Sequence, residues 1–240
     1  MMQNLVIAID GYSSCGKSTL AKALAKKAHC MYVDTGAMYR AIALFMIRQN
    51  VTRKESIIKE LAQIHIDFIP TQEGQHVTLN GKDVEKEIRT LEVGNRASEI
   101  STIKEVREFL VAQQRQMADY GGVVMDGRDI GTVVLPNADL KLFMTARPEV
   151  RAQRRFDELK AKGESPVYEE VLADVNERDY RDTHRAESPL RKAEDAIEID
   201  NSDMTPEEQL KKACQLYDET FKRLYKNIFG RDADSNVYYD

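Results

Sequence analysis

Cysteine is scarce in this sequence, and the few cysteines present are far apart. Cys15, Cys30 and Cys214 are the three among 240 residues, and none stands in a CxxC arrangement. An odd and scattered set supports neither a disulfide framework nor a structural zinc site. We therefore expect a protein of the reducing cytoplasm.

Long apolar runs and an excess of basic residues are also missing. No stretch of about 18 uncharged apolar residues occurs, so a transmembrane helix is not expected. Residues 1–9 lack a basic flank and a small-residue cleavage site, which argues against a signal peptide. The net charge of −5 argues against a dedicated nucleic-acid binder. With 42 % hydrophobic and 31 % charged residues, the composition is that of a soluble enzyme without nucleic-acid or membrane partners.

The hydrophobic pattern alternates between short apolar runs and amphipathic stretches. The apolar runs predict strands at 5–9, 31–34, 123–125, 139–145 and 196–200. Apolar side chains spaced for one helical face predict helices at 17–27, 36–49, 90–118, 148–162, 168–184 and 205–224. Strand–helix alternation is typical of an α/β fold, here a central parallel sheet flanked by helices.

The period of the pattern changes between residues 64 and 84. Apolar and polar side chains alternate there, and Asn80-Gly81 is a strong hairpin signal. We expect a small antiparallel insertion in the parallel framework. Residues 229–240 show no core pattern and are expected to form a loose tail.

Residues 11–18, GYSSCGKS, match the phosphate-binding pattern G-x-x-x-x-G-K-[ST], with an apolar strand before it and a helix after it. The glycines allow the backbone to approach phosphate closely, so that its N–H groups form an anion nest at a helix N-terminus. Lys17 is expected at the β and γ phosphates and Ser18 at Mg²⁺, whereas Cys15 is interpreted as a small filler. The predicted ATP-binding residues are Gly11, Tyr12, Ser13, Ser14, Cys15, Gly16, Lys17, Ser18 and Thr19.

A P-loop alone does not distinguish kinases from other nucleotide-binding proteins. GTP-binding switches need an Asn-Lys-x-Asp motif, which this sequence lacks, and ATPases of helicases and transporters are usually larger. Transfer of a phosphoryl group between two anionic substrates requires positive charge that neutralises their repulsion. The sequence is rich in arginine outside the P-loop. These arginines are Arg40, Arg128, Arg178, Arg181, Arg185 and the cluster Arg147, Arg151, Arg154 and Arg155. The spacing of Arg178, Arg181 and Arg185 by three and four residues predicts that they lie, with Asp182, on one face of a helix. The pattern favours a kinase of a small anionic acceptor.

Five segments together resemble the bacterial cytidylate kinases, and the resemblance covers about residues 4–215. The segments are GYSSCGKST (11–19), DTGAMYR (34–40), EIRT (87–90), DGRDIGTVVLPNADLKLF (126–143) and ERDYRDTHR (177–185). The resemblance implies the P-loop fold of nucleoside-monophosphate (NMP) kinases. It implies a core at 1–60 and 96–228, a helical lid at about 148–166, and an NMP-binding insertion at 61–95.

The resemblance also implies a set of substrate contacts. Arginines matching Arg40, Arg128 and Arg185 hold the acceptor phosphate, and the cytosine edge is recognised by Ser98, Arg107 and Asp129. The ribose is held by Arg178 and Asp182, and Thr35 is a further nucleotide contact. Ser18 stands where the family commonly has glycine.

The expected reaction is in-line transfer of the γ-phosphoryl of Mg-ATP to CMP or dCMP, by a monomer. Lys17, Arg128 and Arg185 are assigned as catalytic, together with a lid arginine, Arg154 or Arg155, of which Arg155 is preferred. Ser18 and, through water, Asp126 are expected to hold Mg²⁺. An ionised Asp129 accepts from the amine of cytosine and repels the carbonyl of uracil, which favours CMP over UMP. The alternatives are a P-loop kinase of another acceptor such as shikimate, a regulatory or nucleic-acid ATPase, and an inactive scaffold.

Overall fold

The computed structural model describes residues 5–71, 74–119 and 121–230. In chain order its main elements are β1 (Val6–Gly11), α1 (Lys17–Lys27), β2 (Met31–Asp34), α2 (Thr35–Arg48), α3 (Lys54–Glu60), β3 (Ile66–Thr71), β4 (Gly74–Leu79), β5 (Lys82–Asp83), α4 (Leu91–Ile100), α5 (Lys104–Ala118), β6 (Val123–Gly127), β7 (Leu140–Thr145), α6 (Pro148–Ala161), α7 (Tyr168–His184), β8 (Ile197–Asp200) and α8 (Pro206–Phe229).

The chain divides into two compact units. The first comprises Met1–Tyr32 and Tyr120–Asp240, and the second comprises Val33–Asp119. The second unit is wider than the insertion expected at 61–95 and contains it.

The larger sheet has the strand order β2-β6-β1-β7-β8, and its strands β6, β1, β7 and β8 belong to the first unit. β1 runs parallel to both of its neighbours, with Val6 opposite Val123 and Ile7 opposite Leu140. The carboxyl ends of parallel strands meet at one edge of a sheet, and ligands bind at that edge. The prediction of an α/β fold with a central parallel sheet is confirmed.

Helices α1 and α8 pack together beside this sheet. Their buried side chains, including Leu24, Tyr217 and Phe221, share one core cluster with Ile9 and Leu142 of the strands. Each such side chain contributes about 1.5–3 kcal/mol when it is fully buried. The start of α1 is therefore anchored by packing at the carboxyl end of β1.

α8 is longer than predicted. It begins with a capping box between Thr205 and Glu208 and ends at Gly230, which has a φ of 66°. The predicted end at residue 224 is wrong because the apolar face continues through the buried Tyr225. Phe229 therefore belongs to α8, and the rest of the expected tail, 231–240, lies outside the described residues.

The second unit contains the antiparallel sheet β3-β4-β5. Asn80 and Gly81 connect β4 to β5 with φ angles of 50° and 77°. Positive angles at both positions are what a two-residue type I′ hairpin requires. The predicted hairpin is confirmed. The short helix α3 escaped prediction because its seven residues bury only Ile57.

The helix predicted at 90–118 is two helices, α4 and α5. The hydroxyls of Ser101 and Thr102 donate hydrogen bonds to the carbonyls of Ser98 and Glu99. Such local side-chain bonds compete with continuation of a helix, so α4 ends there. None of the helices in the described part of the chain combines the length and the apolar character of a membrane span.

Candidate active site

The P-loop lies between the end of β1 and the start of α1, as its spacing predicts. Gly11 has a φ of 146°, and a Cβ at this position would lie 2.1 Å from the carbonyl oxygen of Met144 on β7. A side chain at position 11 would therefore clash with the backbone of β7, so only glycine fits there. Ser14 and Gly16 also have positive φ angles, of 56° and 86°. Alternation of left-handed residues with ordinary ones is how a backbone forms an anion nest.

Lys17 is buried at the start of α1. Its Nζ donates to the carbonyl of Tyr12 at 2.5 Å and lies 3.7 Å from Cys15 Sγ. The pKa of Lys17 is lowered mainly by burial and to a smaller extent by the nearby charge of Arg128. Cys15 is fully buried, in keeping with its interpretation as a filler. A buried ammonium at a helix N-terminus is a strong site for phosphate because little water competes with the anion.

Asp126 lies at the end of β6 and binds two hydroxyl groups. Ser18 Oγ donates to one carboxylate oxygen at 2.9 Å, and Tyr32 donates to the other at 2.7 Å. Hydroxyl and carboxylate oxygens are the ligands that Mg²⁺ prefers, and Mg²⁺ usually takes one or two carboxylates plus substrate phosphates. Within the described residues no group of three or more His, Cys, Asp or Glu side chains could hold a metal. Ser18 and Asp126 therefore fit Mg²⁺ of the kind bound with a nucleotide.

A buried carboxylate holds the turn that carries Arg128 and Asp129. Asp10, on β1, accepts hydrogen bonds from the backbone N–H groups of Ile130 at 2.8 Å and Gly131 at 2.7 Å. Burial raises the pKa of Asp10 to about 6, although both hydrogen bonds oppose the shift. No role was predicted for Asp10.

We expect Asp10→Asn to lower the free energy of unfolding by about 1–3 kcal/mol at pH 7, because the amide nitrogen would face a buried N–H donor. The folded state binds a proton at Asp10 below about pH 6, whereas the unfolded carboxyl binds one near 3.8. Wild type therefore gains stability as the pH falls from 7 to 4.5, and the variant lacks that gain. Urea unfolding at both pH values measures the gap, which should widen at low pH.

The matched control for this prediction is Asp157→Asn, which changes an exposed carboxylate on α6. Its gap to wild type should stay small at both pH values. A gap for Asp10→Asn that narrows on acidification would contradict the role of the buried carboxylate.

Arg128 is half-buried and forms an ion pair with the buried Asp182 of α7. Its Nε donates to Asp182 Oδ2 at 2.8 Å. Burial opposes ionisation of Asp182, but the charges of Arg128, Arg178 and Arg185 hold its pKa below the ordinary value. The structure thus brings together residues that were expected at the acceptor phosphate and at the ribose.

Arg185 lies outside the helix that was expected to carry it. α7 ends at His184, and the backbone of Arg185 is extended. The predicted common helical face for Arg178, Arg181 and Arg185 is therefore wrong. Arg185 donates to the carbonyl of Ser188 and lies 3.6 Å from Asp129. Arg181 forms an ion pair with Glu177 on the surface of α7.

The three arginines of α6 and Arg147, which lies just before it, have four different surroundings. Arg147, which precedes the helix, forms an exposed ion pair with Asp203. Arg151 is buried, lies over the ring of Tyr12 and forms an ion pair with Asp179. Arg154 binds Asn201 twice, through the side-chain oxygen and the main-chain oxygen. Arg155 forms an ion pair with Glu158 on the same helix.

In the second unit, Arg40 of α2 lies against the start of α4. Its Nη1 donates to the carbonyl of Ile88 at 3.1 Å. A Cβ on Gly94 would lie 3.2 Å from the same nitrogen, so the glycine makes room for the guanidinium. Thr35 is buried at the start of α2, directly after Asp34, which caps the helix and accepts from Arg89.

Ser98 and Arg107 are connected through Ser101. The hydroxyl of Ser101 donates to the carbonyl of Ser98 at 2.8 Å, and the carbonyl of Ser101 accepts from Arg107 at 3.1 Å. The guanidinium of Arg107 lies 5.6 Å from the centre of the Tyr39 ring. The break between α4 and α5 is thus what joins these two residues, both of which are buried.

Sequence reasoning missed three residues around the P-loop, namely Asp10, Tyr32 and Asn201. Asp10 directly precedes Gly11, and a carboxylate at the end of a buried strand was a usable signal. Tyr32 and Asn201 gave none, because their partners Asp126 and Cys15 are 94 and 186 residues away.

Comparison with known proteins identifies the family. The family model described as "Cytidylate kinase" matches residues 7–219. The chain belongs to the cytidylate kinase family. It is 52 % identical over 228 residues to "Cytidylate kinase" of Flavobacterium johnsoniae, covering 92 % of this chain and 99 % of that one. It is 55 % identical over 215 residues to the protein of that name from Parabacteroides distasonis, covering 87 % and 94 %.

Among solved structures, a gluconokinase from Sinorhizobium meliloti is similar to this family member in fold alone. Its TM-score is 0.51 at 13 % identity, over 95 % of this chain and 99 % of that one. The family assignment and this fold agree with the resemblance found in the five sequence segments.

Proposed function

We propose that this cytidylate kinase family member transfers the γ-phosphoryl group of Mg-ATP to CMP and dCMP. The proposal rests above all on family membership across residues 7–219. The buried Lys17 at the P-loop supplies the matching chemistry. The resemblance implies the roles of the domains. Residues 1–60 and 96–228 form the kinase core, residues at about 148–166 form the lid, and residues 61–95 form the NMP-binding insertion. The enzyme acts as a cytoplasmic monomer.

The acceptor phosphate oxygen attacks the γ-phosphorus in line. It is already an anion, so the reaction needs no general base, and catalysis consists of positioning and electrostatic stabilisation. Lys17 holds the transferred group, and Arg128 and Arg185 bind the acceptor phosphate together with Arg40. The bond between the γ-phosphorus and its bridging oxygen breaks as the new one forms, which leaves ADP and the nucleoside diphosphate.

Mg²⁺ would be held by Ser18 Oγ directly and by Asp126 through water. It supplies neutralisation of charge on the ATP phosphates. Tyr32 keeps the Asp126 carboxylate in one orientation through its hydrogen bond of 2.7 Å.

Recognition of the nucleoside is assigned to the residues that the resemblance implies. Ser98, Arg107 and Asp129 take the cytosine edge, Arg178 and Asp182 take the ribose, and Thr35 is a further contact. An ionised Asp129 accepts from the exocyclic amine of cytosine but repels the carbonyl of uracil. A buried charge left unpaired costs roughly 2–5 kcal/mol, which corresponds to a preference for CMP over UMP of about 10²–10³-fold.

Of the two lid arginines, Arg155 is the one we assign to the ATP phosphates. Its ion pair with Glu158 joins residues three apart on one helix, and such pairs are worth only about 0.2–0.5 kcal/mol. Arg154 is held by two hydrogen bonds to the buried Asn201. Movement toward phosphate therefore costs Arg155 less than Arg154.

Turnover with a panel of acceptors tests this function. We expect ADP formation from Mg-ATP to be strong with CMP and dCMP, about 10²–10³-fold weaker with UMP, and weaker still with AMP, GMP and shikimate. A reaction without acceptor gives the background. Strong turnover with a different acceptor, or hydrolysis that no acceptor stimulates, would overturn the assignment while leaving the P-loop chemistry intact.

A further inference from the structure

Three carbonyl groups of the P-loop are held by side-chain donors. Asn201 Nδ2 donates to the carbonyl of Cys15 at 2.6 Å, and Arg151 Nη1 donates to that of Ser13 at 3.4 Å. Lys17 Nζ donates to the carbonyl of Tyr12. Asn201 follows β8 and Arg151 lies on α6, so both come from outside the motif.

The geometry of the peptide bond gives these contacts a consequence for phosphate binding. In a trans peptide, the C=O of one residue and the N–H of the next point in opposite directions within one plane. A donor that holds the carbonyl of Cys15 therefore directs the N–H of Gly16 to the opposite side. The N–H groups of a P-loop must point inward to form the anion nest. The Asn201 contact therefore orients the peptide plane between Cys15 and Gly16. The N–H group of this peptide lies directly before Lys17.

The amide of Asn201 can take only one orientation. The residue is fully buried, and its Oδ1 accepts from Arg154 Nη1 at 2.9 Å. A guanidinium has no acceptor, so the oxygen must face Arg154 and the nitrogen must face the P-loop. The nitrogen also donates to Gln209 Oε1 at 3.0 Å. Arg154 also donates a hydrogen bond to the main-chain oxygen of Asn201, so both the side chain and the backbone of Asn201 are held.

We infer that Asn201 is a positioning residue for the ATP phosphates, oriented by Arg154 of α6. It keeps the peptide between Cys15 and Gly16 turned so that the N–H faces the nucleotide. Arg154 acts through Asn201 and does not contact phosphate. This inference rests on the use of ATP in the proposed function, and it gives Asn201 and Arg154 one shared role.

The sharpest test is Asn201→Asp, which keeps the shape of the side chain and replaces the donor by an acceptor. An oxygen would then face the carbonyl of Cys15, and the pairing with Arg154 would remain. We expect the affinity for Mg-ADP, measured by titration calorimetry, to fall about 10- to 100-fold. The affinity for CMP should change less than twofold. An unchanged Mg-ADP affinity in the folded variant would overturn the inference.

Gln209→Met is the matched control, since it removes the other partner of Asn201 Nδ2 and leaves the bond to Cys15. We expect Mg-ADP affinity within about twofold of wild type, because only a bond to a neighbour outside the P-loop is lost. If Asn201 only packed α8 against the core, both variants would lower the melting temperature and neither would selectively weaken Mg-ADP binding.

Arg154→Met is a second variant that should weaken Mg-ADP binding by itself, and it is also combined with Asn201→Asp where that variant folds. Its loss of Mg-ADP affinity should be smaller in the Asn201→Asp background, because the two residues act in series. Additive losses, or a fall in kcat with the KM for ATP unchanged, would instead indicate direct contact between Arg154 and phosphate. These readouts use binding of Mg-ADP, so they remain valid if the acceptor panel shows a substrate other than CMP.

Discussion

Arg128→Met is expected to lower kcat/KM for CMP by about 10²–10³-fold, because it removes a half-buried cation that binds the acceptor phosphate. The side chain also pairs with Asp182 at 2.8 Å, so its loss leaves a buried carboxylate without that partner. Truncation of one member of such a pair costs roughly 2–5 kcal/mol. Steady-state turnover with CMP varied at saturating Mg-ATP measures the effect.

The control for this prediction is Arg181→Met on α7. Arg181 forms an exposed ion pair with Glu177 on the same helix, and pairs of that kind contribute about 0.3–0.5 kcal/mol. We expect its kcat/KM within about twofold of wild type. A loss in Arg128→Met no larger than that in Arg181→Met would remove Arg128 from the acceptor site.

A further variant separates the loss of the phosphate ligand from the damage to the ion pair. Asp182→Asn leaves Arg128 in place and keeps an oxygen for its Nε–H. We expect the effect of Asp182→Asn to be smaller than that of Arg128→Met, since the cation is retained. Equal effects would mean that Arg128 serves mainly to hold Asp182, which we assign to the ribose, in position.

The sheet and the P-loop were predictable because their signals are local. The run before Gly11 and the amphipathic stretch after Gly16 specify strand, loop and helix within a few turns of chain. Lys17–Lys27 and Met31–Asp34 have the predicted bounds. The break between α4 and α5 was missed because periodicity continues across it, whereas the hydroxyls that end α4 act through hydrogen bonds.

The supports of the candidate site could not be predicted for a different reason. Asp10 finds its donors 120 and 121 residues later in the chain, and Asn201 finds Cys15 at a separation of 186 residues. The position of Asp10 at the end of a buried strand indicates a role, but neither residue reveals its partner until the fold brings the two together. The residues that contact the nucleotide are neighbours in the sequence and form recognisable motifs. The side chains that hold those motifs in position come from distant parts of the sequence and form no such motif.

Lys17→Met is expected to lower kcat by about 10³-fold or more, because Lys17 is the cation at the transferred phosphoryl group. The matched control is Lys26→Met, which removes an exposed lysine of the same helix. We expect turnover of the control within about twofold of wild type, as for most surface substitutions. A kcat for Lys17→Met within about tenfold of wild type would contradict the assignment.

Thermal unfolding without nucleotide separates this role from a structural one. Burial lowers the pKa of Lys17, so the charged form is held at a cost in the folded state. Methionine has a similar length and no charge to desolvate, and it gives up the hydrogen bond to the carbonyl of Tyr12. We expect the melting temperature of Lys17→Met to be equal to or above that of wild type. If Lys17 served mainly to stabilise the fold, its replacement would lower both the melting temperature and the activity. A lysine that lowers stability and is required for turnover has its role at the transferred phosphoryl group.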